Sequence, residues 1–175
     1  MKYIIGVDVD GVIRDFSTDL YRVIKEHYPQ YMKEGTDKAV SVEEIKKEMT
    51  DWDLEDTFET SREEIQRIYR EEHSETILAN GTPYVDNIKY LKEQISKDEH
   101  TFIAVTSQHP ICCHHTLTWL GKQELGFSSV VFKKGRRKWQ VEVDYLVDDQ
   151  KWNEKINATN RIYNIEDAIK IINDK

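Results

Sequence analysis

The stretch Tyr3-Ile4-Ile5-Gly6-Val7-Asp8-Val9-Asp10-Gly11-Val12 decides the fold. Its first half is a short apolar run rich in β-branched residues, the pattern of a strand buried on both faces of a parallel sheet. The run stops at Asp8, and two carboxylates one residue apart are followed by a glycine that permits a tight turn. Beyond it, Phe16, Leu20, Val23, Ile24 and Tyr28 recur at helical spacing, and Pro29 is a stop signal. The chain therefore opens as strand, acidic loop, helix.

Working outward, residues 30–80 change character. They are polar and strongly charged, with no convincing strand, and capping-box patterns at Ser41-x-x-Glu44 and Ser61-x-x-Glu64 precede two short helical stretches. This segment is expected to be a small all-helical insertion. Asn80-Gly81-Thr82-Pro83 punctuates the chain, and Tyr84 or Val85, Ile88, Leu91 and Ile95 mark an amphipathic helix beginning at the proline. Strand and helix patterns then alternate: a strand at 101–105, a helix at 116–124, strands at 129–132 and 145–147, a short helix near Trp152, a strand at 161–163 and a helix at 166–172. Alternation of this kind predicts an α/β fold, a Rossmann-like parallel sheet with helices on both faces. The expected division is a core of residues 1–29 and 81–175 and a helical cap of residues 30–80.

The chain has 175 residues, enough for one compact domain or a core with a small insertion, and 38% of them are hydrophobic, enough for a core without covalent staples. Thirty-three acidic against 25 basic residues leave a net charge of −8, which argues against non-specific nucleic-acid binding and leaves room for a small anionic substrate in a locally different pocket. The two cysteines are adjacent, Cys112 and Cys113, and neighbours almost never pair as a disulfide, so a reducing compartment is expected. No apolar run approaches the roughly 18 residues of a membrane helix, and the N-terminus enters a strand without a signal-peptide layout. The expected location is cytoplasmic.

The chemistry sits at strand ends, where ligands bind in folds of this class. Asp8 and Asp10 end the first strand and Asp148 and Asp149 end Tyr145-Leu146-Val147. If both strands are central, four carboxylates converge, and such a cluster needs protons or a hard cation, for which magnesium is the natural candidate. An EF-hand would place glycine sixth in its loop behind a helix, whereas here glycine is fourth behind a strand. Thr106 and Ser107 end a further strand with hydroxyls suited to phosphate oxygens, and Lys138 lies ten residues before Asp148. Carboxylate, cation, hydroxyl and lysine together make a phosphoryl-transfer site.

The order Asp-x-Asp-Gly-Val, Thr-Ser, Lys, Asp-Asp resembles the four motifs of the haloacid dehalogenase-like superfamily over essentially the whole chain. The stretches Trp119-Leu120-Gly121 through Leu125-Gly126-Phe127, Val130-Val131-Phe132, and Asp144 to Asp149 are similar to the second half of the 5′(3′)-deoxyribonucleotidases, and Thr50-Asp51-Trp52-Asp53-Leu54 to their cap. The resemblance implies a magnesium-dependent phosphomonoester hydrolase acting on nucleoside monophosphates through an aspartyl-phosphate. It implies Asp8 as nucleophile, and Asp10 as acid and then base, with its carbonyl also touching the metal. Thr106 and Ser107 would hold the phosphate and Lys138 would offset charge. Asp149 is the first choice as direct metal ligand, with Asp148 acting through water or orienting the site, and the choice between these neighbours stays open.

Phe16, Trp52 and Phe58 are candidates either for stacking a base or for packing the cap's own core. The basic run Lys133 to Lys138 reads as a solvated loop apart from Lys138. His109, Cys112, Cys113, His114 and His115 tempt a zinc reading, but adjacent cysteines and adjacent histidines do not converge easily on one tetrahedral ion. A receiver-like phosphoacceptor module uses similar residues, yet its lysine comes last, whereas here lysine precedes the terminal acidic pair. Nearer alternatives keep the chemistry and change the substrate to a sugar phosphate or a nucleic-acid 3′-phosphate end. Oligomeric state stays open, a homodimer included.

Overall fold

The computed structural model describes residues 1–34, 57–149, 161–162 and 165–173. Strand β1 (Ile4–Val7) leads to α1 (Phe16–His27), and a 3-10 turn at Pro29–Tyr31 follows. Between residues 57 and 80 lie α2 (Arg62–Arg67) and two π-helical turns, Ile68–Glu72 and Glu75–Ala79. Next come α3 (Val85–Ser96), β2 (Thr101–Thr106), a 3-10 turn at Pro110–Cys112, α4 (Cys113–Lys122) and β3 (Val130–Phe132). A 3-10 helix at Gly135–Gln140, β4 (Tyr145–Val147), β5 (Arg161–Ile162) and α5 (Ile165–Asn173) are the last of the described elements. The Ser41-x-x-Glu44 pattern, the Thr50–Leu54 segment and the short helix expected near Trp152 lie outside the described residues.

The five strands lie in the order β3-β2-β1-β4-β5, and every pair is parallel. The sheet therefore reverses its winding at β1, where Val7 stands opposite Ala104 on one side and Val147 on the other. Such a switch point opens a crevice at the carboxyl ends of the strands.

Alternation along the strands sorts side chains to two faces. Ile5, Val7, Phe102, Ala104, Tyr145 and Val147 meet α3, α4 and α5 through Ile88, Leu91, Trp119, Leu120, Ile165 and Ile169. Ile103, Val105 and Leu146 form the other, thinner face, packed by Val131, Val141 and Val143. The helices α3, α4 and α5 thus share one face. Across the other runs the β3–β4 connection with its 3-10 helix, because that connection must pass β2 and β1 to reach β4.

A second cluster joins Phe16, Leu20, Tyr21, Val23 and Ile24 of α1 to Phe58, Ile65, Ile68, Ile77 and Leu78. Helix α1 therefore buries its apolar face against residues 58–78; helical spacing alone does not tell which segment a face will meet. Asp15 caps α1 by accepting from the Thr18 N–H, and Ser61 caps α2 by accepting from the Glu64 N–H at 3.2 Å. Helix α3 starts two residues after Pro83, because Thr82 is committed elsewhere: its N–H and hydroxyl donate to Asp19 at 2.6 and 2.8 Å, and its carbonyl accepts from the Asp15 N–H at 2.8 Å. No helix among the described residues is long and apolar enough to cross a membrane.

Candidate active site

Asp8 is the first residue past β1 and 4% exposed. Its N–H donates to the Val147 carbonyl at 2.9 Å, extending the ladder by one step and setting Asp8 beside Asp148. The 3-10 helix from Gly135 turns Lys138 inward to 2% exposure, where its ammonium donates to Asp8 Oδ2 and, at 3.0 Å, to Asp148 Oδ2. Asp8 Oδ1 accepts from the Val9 N–H at 2.8 Å.

Oxygens of Asp8, Asp148 and Asp149 lie within 4.8 Å of one another, the one group of three or more potential metal ligands among the described residues. When all three are ionised, Lys138 cancels one charge of three, and the excess matches one divalent cation. An all-oxygen donor set of this kind suits a hard cation such as magnesium. Burial pushes the Asp8 carboxyl well above the ordinary carboxylate range; Lys138 opposes that rise and Asp148 and Asp149 add to it. Burial works against the Lys138 ammonium, but Asp8 and Asp148 outweigh it and raise its pKa.

Gly11 makes the loop's close approach feasible. Its φ is +81°, and a Cβ there would collide with the Asp149 carboxylate. Thr106 ends β2, two residues beyond the partner of Val7, and so stands level with Val9 at the carboxyl ends of the strands. Its Oγ1 is buried and has no hydrogen-bond partner, an arrangement that is costly unless a ligand completes it. Ser107, the next residue, is exposed.

Asp10 is 5% exposed, and both of its oxygens are engaged. Arg14 Nε donates to Oδ1 at 2.7 Å and Gln108 Nε2 to Oδ2 at 2.5 Å. Neither partner was singled out in the sequence. The available signal was a cation directly after the apolar pair Val12-Ile13, and the glutamine directly after Thr106-Ser107.

Phe16 and Phe58 are 2% and 1% exposed within the second cluster, Phe16 edge-on to Tyr69 at 5.2 Å and Phe58 against Tyr21. Trp52 lies outside the described residues. Cys112 is buried with its thiol toward the Arg70 carbonyl, while His115 Nε2 pairs with the Ser74 hydroxyl at 3.0 Å, so the two point to separate partners. Of the basic run, Lys134 and Arg137 are exposed and Lys138 alone is shown buried.

The family model described as "5′ nucleotidase, deoxy (Pyrimidine), cytosolic type C protein" matches residues 2–166. Among solved structures, a hydrolase from Streptococcus pneumoniae TIGR4 is similar over 99% of this chain and 100% of its own, at 16% identity and a TM-score of 0.54. CbbY from Rhodobacter sphaeroides, solved with phosphate, is similar over 93% and 94% of the two chains, at 14% identity and a TM-score of 0.46. No curated protein matches the chain.

Proposed function

Because this chain belongs to the family of deoxy (pyrimidine) 5′ nucleotidases of cytosolic type C, within the haloacid dehalogenase-like phosphomonoester hydrolases, we propose that it dephosphorylates deoxynucleoside monophosphates through Asp8. The observation that carries the reading is Asp8 itself: a buried carboxylate at the switch point, held by Lys138 and facing Asp148 and Asp149, with the orphaned Thr106 hydroxyl at the end of the neighbouring strand.

Asp8 attacks phosphorus through one carboxylate oxygen, and the bond to the ribose oxygen breaks as Asp10 gives that oxygen a proton. A water molecule, losing its proton to Asp10, then attacks the aspartyl-phosphate, and cleavage of the bond to Asp8 releases inorganic phosphate. Thr106 and Ser107 hold the non-bridging oxygens, and Lys138 sits between nucleophile and phosphoryl group. Asp8, Asp148, Asp149 and the Asp10 carbonyl would hold magnesium, which supplies the positive charge that a dianionic ester and a carboxylate nucleophile require. Phe16 and Phe58 contribute by packing the helical unit, which places Tyr69 rather than Phe16 nearer the surface as an aromatic wall. The cytosol is the proposed compartment, in keeping with the family's description.

The test is phosphate release from deoxy- and ribonucleoside 5′- and 3′-monophosphates, sugar phosphates and a 3′-phosphorylated oligonucleotide, with magnesium or with chelator. Magnesium-dependent release chiefly from deoxynucleoside monophosphates, abolished in Asp8→Asn, is expected. Release chiefly from another ester would replace the substrate and keep the nucleophile; turnover by Asp8→Asn at the wild-type rate would overturn the mechanism.

A further inference from the structure

We infer that Arg14, assisted by Gln108, is a positioning residue that fixes the orientation of Asp10 from the junction where the helical insertion rejoins the sheet. The inference rests on the acid–base role proposed for Asp10.

Arg14 has no solvent exposure, and a guanidinium is tolerated in that setting only when its donors and faces are matched. Each of its three nitrogens has an acceptor. Nε donates to Asp10 Oδ1 at 2.7 Å, Nη1 to the Leu78 carbonyl at 2.6 Å and Nη2 to Thr116 Oγ1 at 3.3 Å. Its Cζ stands 5.3 Å from the centroid of the Trp119 ring, and Trp119 in turn donates its indole N–H to the Gly81 carbonyl at 2.7 Å. One side chain thus grips the carboxylate, the last turn of the insertion and α4. Gly81 leaves room for the arginine stem: a Cβ there would lie 2.8 Å from Arg14 Cδ and would collide with the Ile77 carbonyl.

The second oxygen of Asp10 accepts from Gln108, a half-buried residue on the loop after β2. Two donors at fixed points set the plane of the carboxyl group, which a merely space-filling apolar residue at position 14 would not do. Orientation matters because transfer of a proton to a leaving oxygen requires the carboxyl oxygen within hydrogen-bond reach along the right direction. During that transfer Arg14 retains Oδ1, and the neutral Gln108 yields Oδ2, whose proton moves to the ribose oxygen as the P–O bond breaks.

The test compares Arg14→Met, Arg14→Lys and Gln108→Leu with wild type on a deoxynucleoside monophosphate and on 4-nitrophenyl phosphate, whose leaving group departs without a proton. Since a positioned acid contributes about 100-fold or more, Arg14→Met should lose roughly 30- to 100-fold in kcat on the nucleotide and several-fold less on the nitrophenyl ester. KM should change little, and Arg14→Lys should recover part of the loss. Gln108→Leu should show the same leaving-group bias with a smaller loss, and it carries the test if Arg14→Met does not fold. Equal losses on both esters would overturn the inference and leave the proposed function standing. If wild type hydrolyses neither ester, the proposed function fails separately, and crystal structures of Gln108→Leu and Arg14→Lys decide the inference: an unmoved Asp10 carboxylate overturns it, and a rotated one upholds it.

Discussion

Lys138 places one ammonium against two buried carboxylates, with a third nearby, and this imbalance determines how the site responds to its loss. Removing one partner of a buried ion pair costs roughly 3–5 kcal/mol, so Lys138→Met should lower stability by about that much at neutral pH in chelator. The cost should shrink in acid. Asp8 already has a folded pKa above its ordinary 3.8, and losing Lys138 raises it further. A carboxyl with a raised folded pKa favours the folded state fully below its unfolded pKa, and that contribution is lost as pH rises through the folded value. Urea midpoints of variant and wild type should therefore converge between pH 7.5 and pH 5; a constant gap would show that the lysine acts by packing alone. The strand-end positions of Asp8, Thr106 and Asp148 were legible because each follows an apolar run that announces its strand. Arg14 and Gln108 were not. Gln108 meets Asp10 across 98 residues of chain, and a single arginine in a loop looks the same in sequence whether it faces solvent or a carboxylate.

Helix α2 shows what local chemistry settles and what it leaves to packing. Ser61 caps it through the Glu64 N–H, as the Ser-x-x-Glu spacing suggests, since both groups lie within one turn. Ser61→Ala should cost about 1 kcal/mol and Ser61→Gly only a few tenths, read as the shift in urea midpoint. An unchanged midpoint in Ser61→Ala would mean that tertiary contacts alone hold this helix end. The π-helical turns that follow, and the partnership of α1 with this segment rather than with the sheet, had no local signature. Each depends on which face of one helix meets which face of another. The delayed start of α3 has the same origin, because Thr82 spends both of its donors on Asp19, 63 residues earlier.

For the whole molecule, the acidic centre predicts a link between cation and stability. A cation that binds the folded chain alone stabilises it by about 2.7 kcal/mol at a hundredfold excess over Kd, which for a chain of this size raises Tm by roughly 5–10 °C. Magnesium should produce such a shift, and Asp149→Asn should remove most of it; no shift in wild type would count against the site formed by Asp8, Asp148 and Asp149. The parallel sheet itself was legible from alternating strand and helix patterns, but the order of its strands was not. That order also shapes how the chain comes off the ribosome. Strand β1 is made first, yet its two neighbours are residues 101–106 and 145–147. A growing chain can close one edge of β1 once β2 has emerged, while the other, apolar and unpaired, stays open through some forty further residues, roughly two to eight seconds of synthesis. During that interval the strand that leads to Asp8 is an exposed edge, the kind of surface on which chains stick to one another and which chaperones cover.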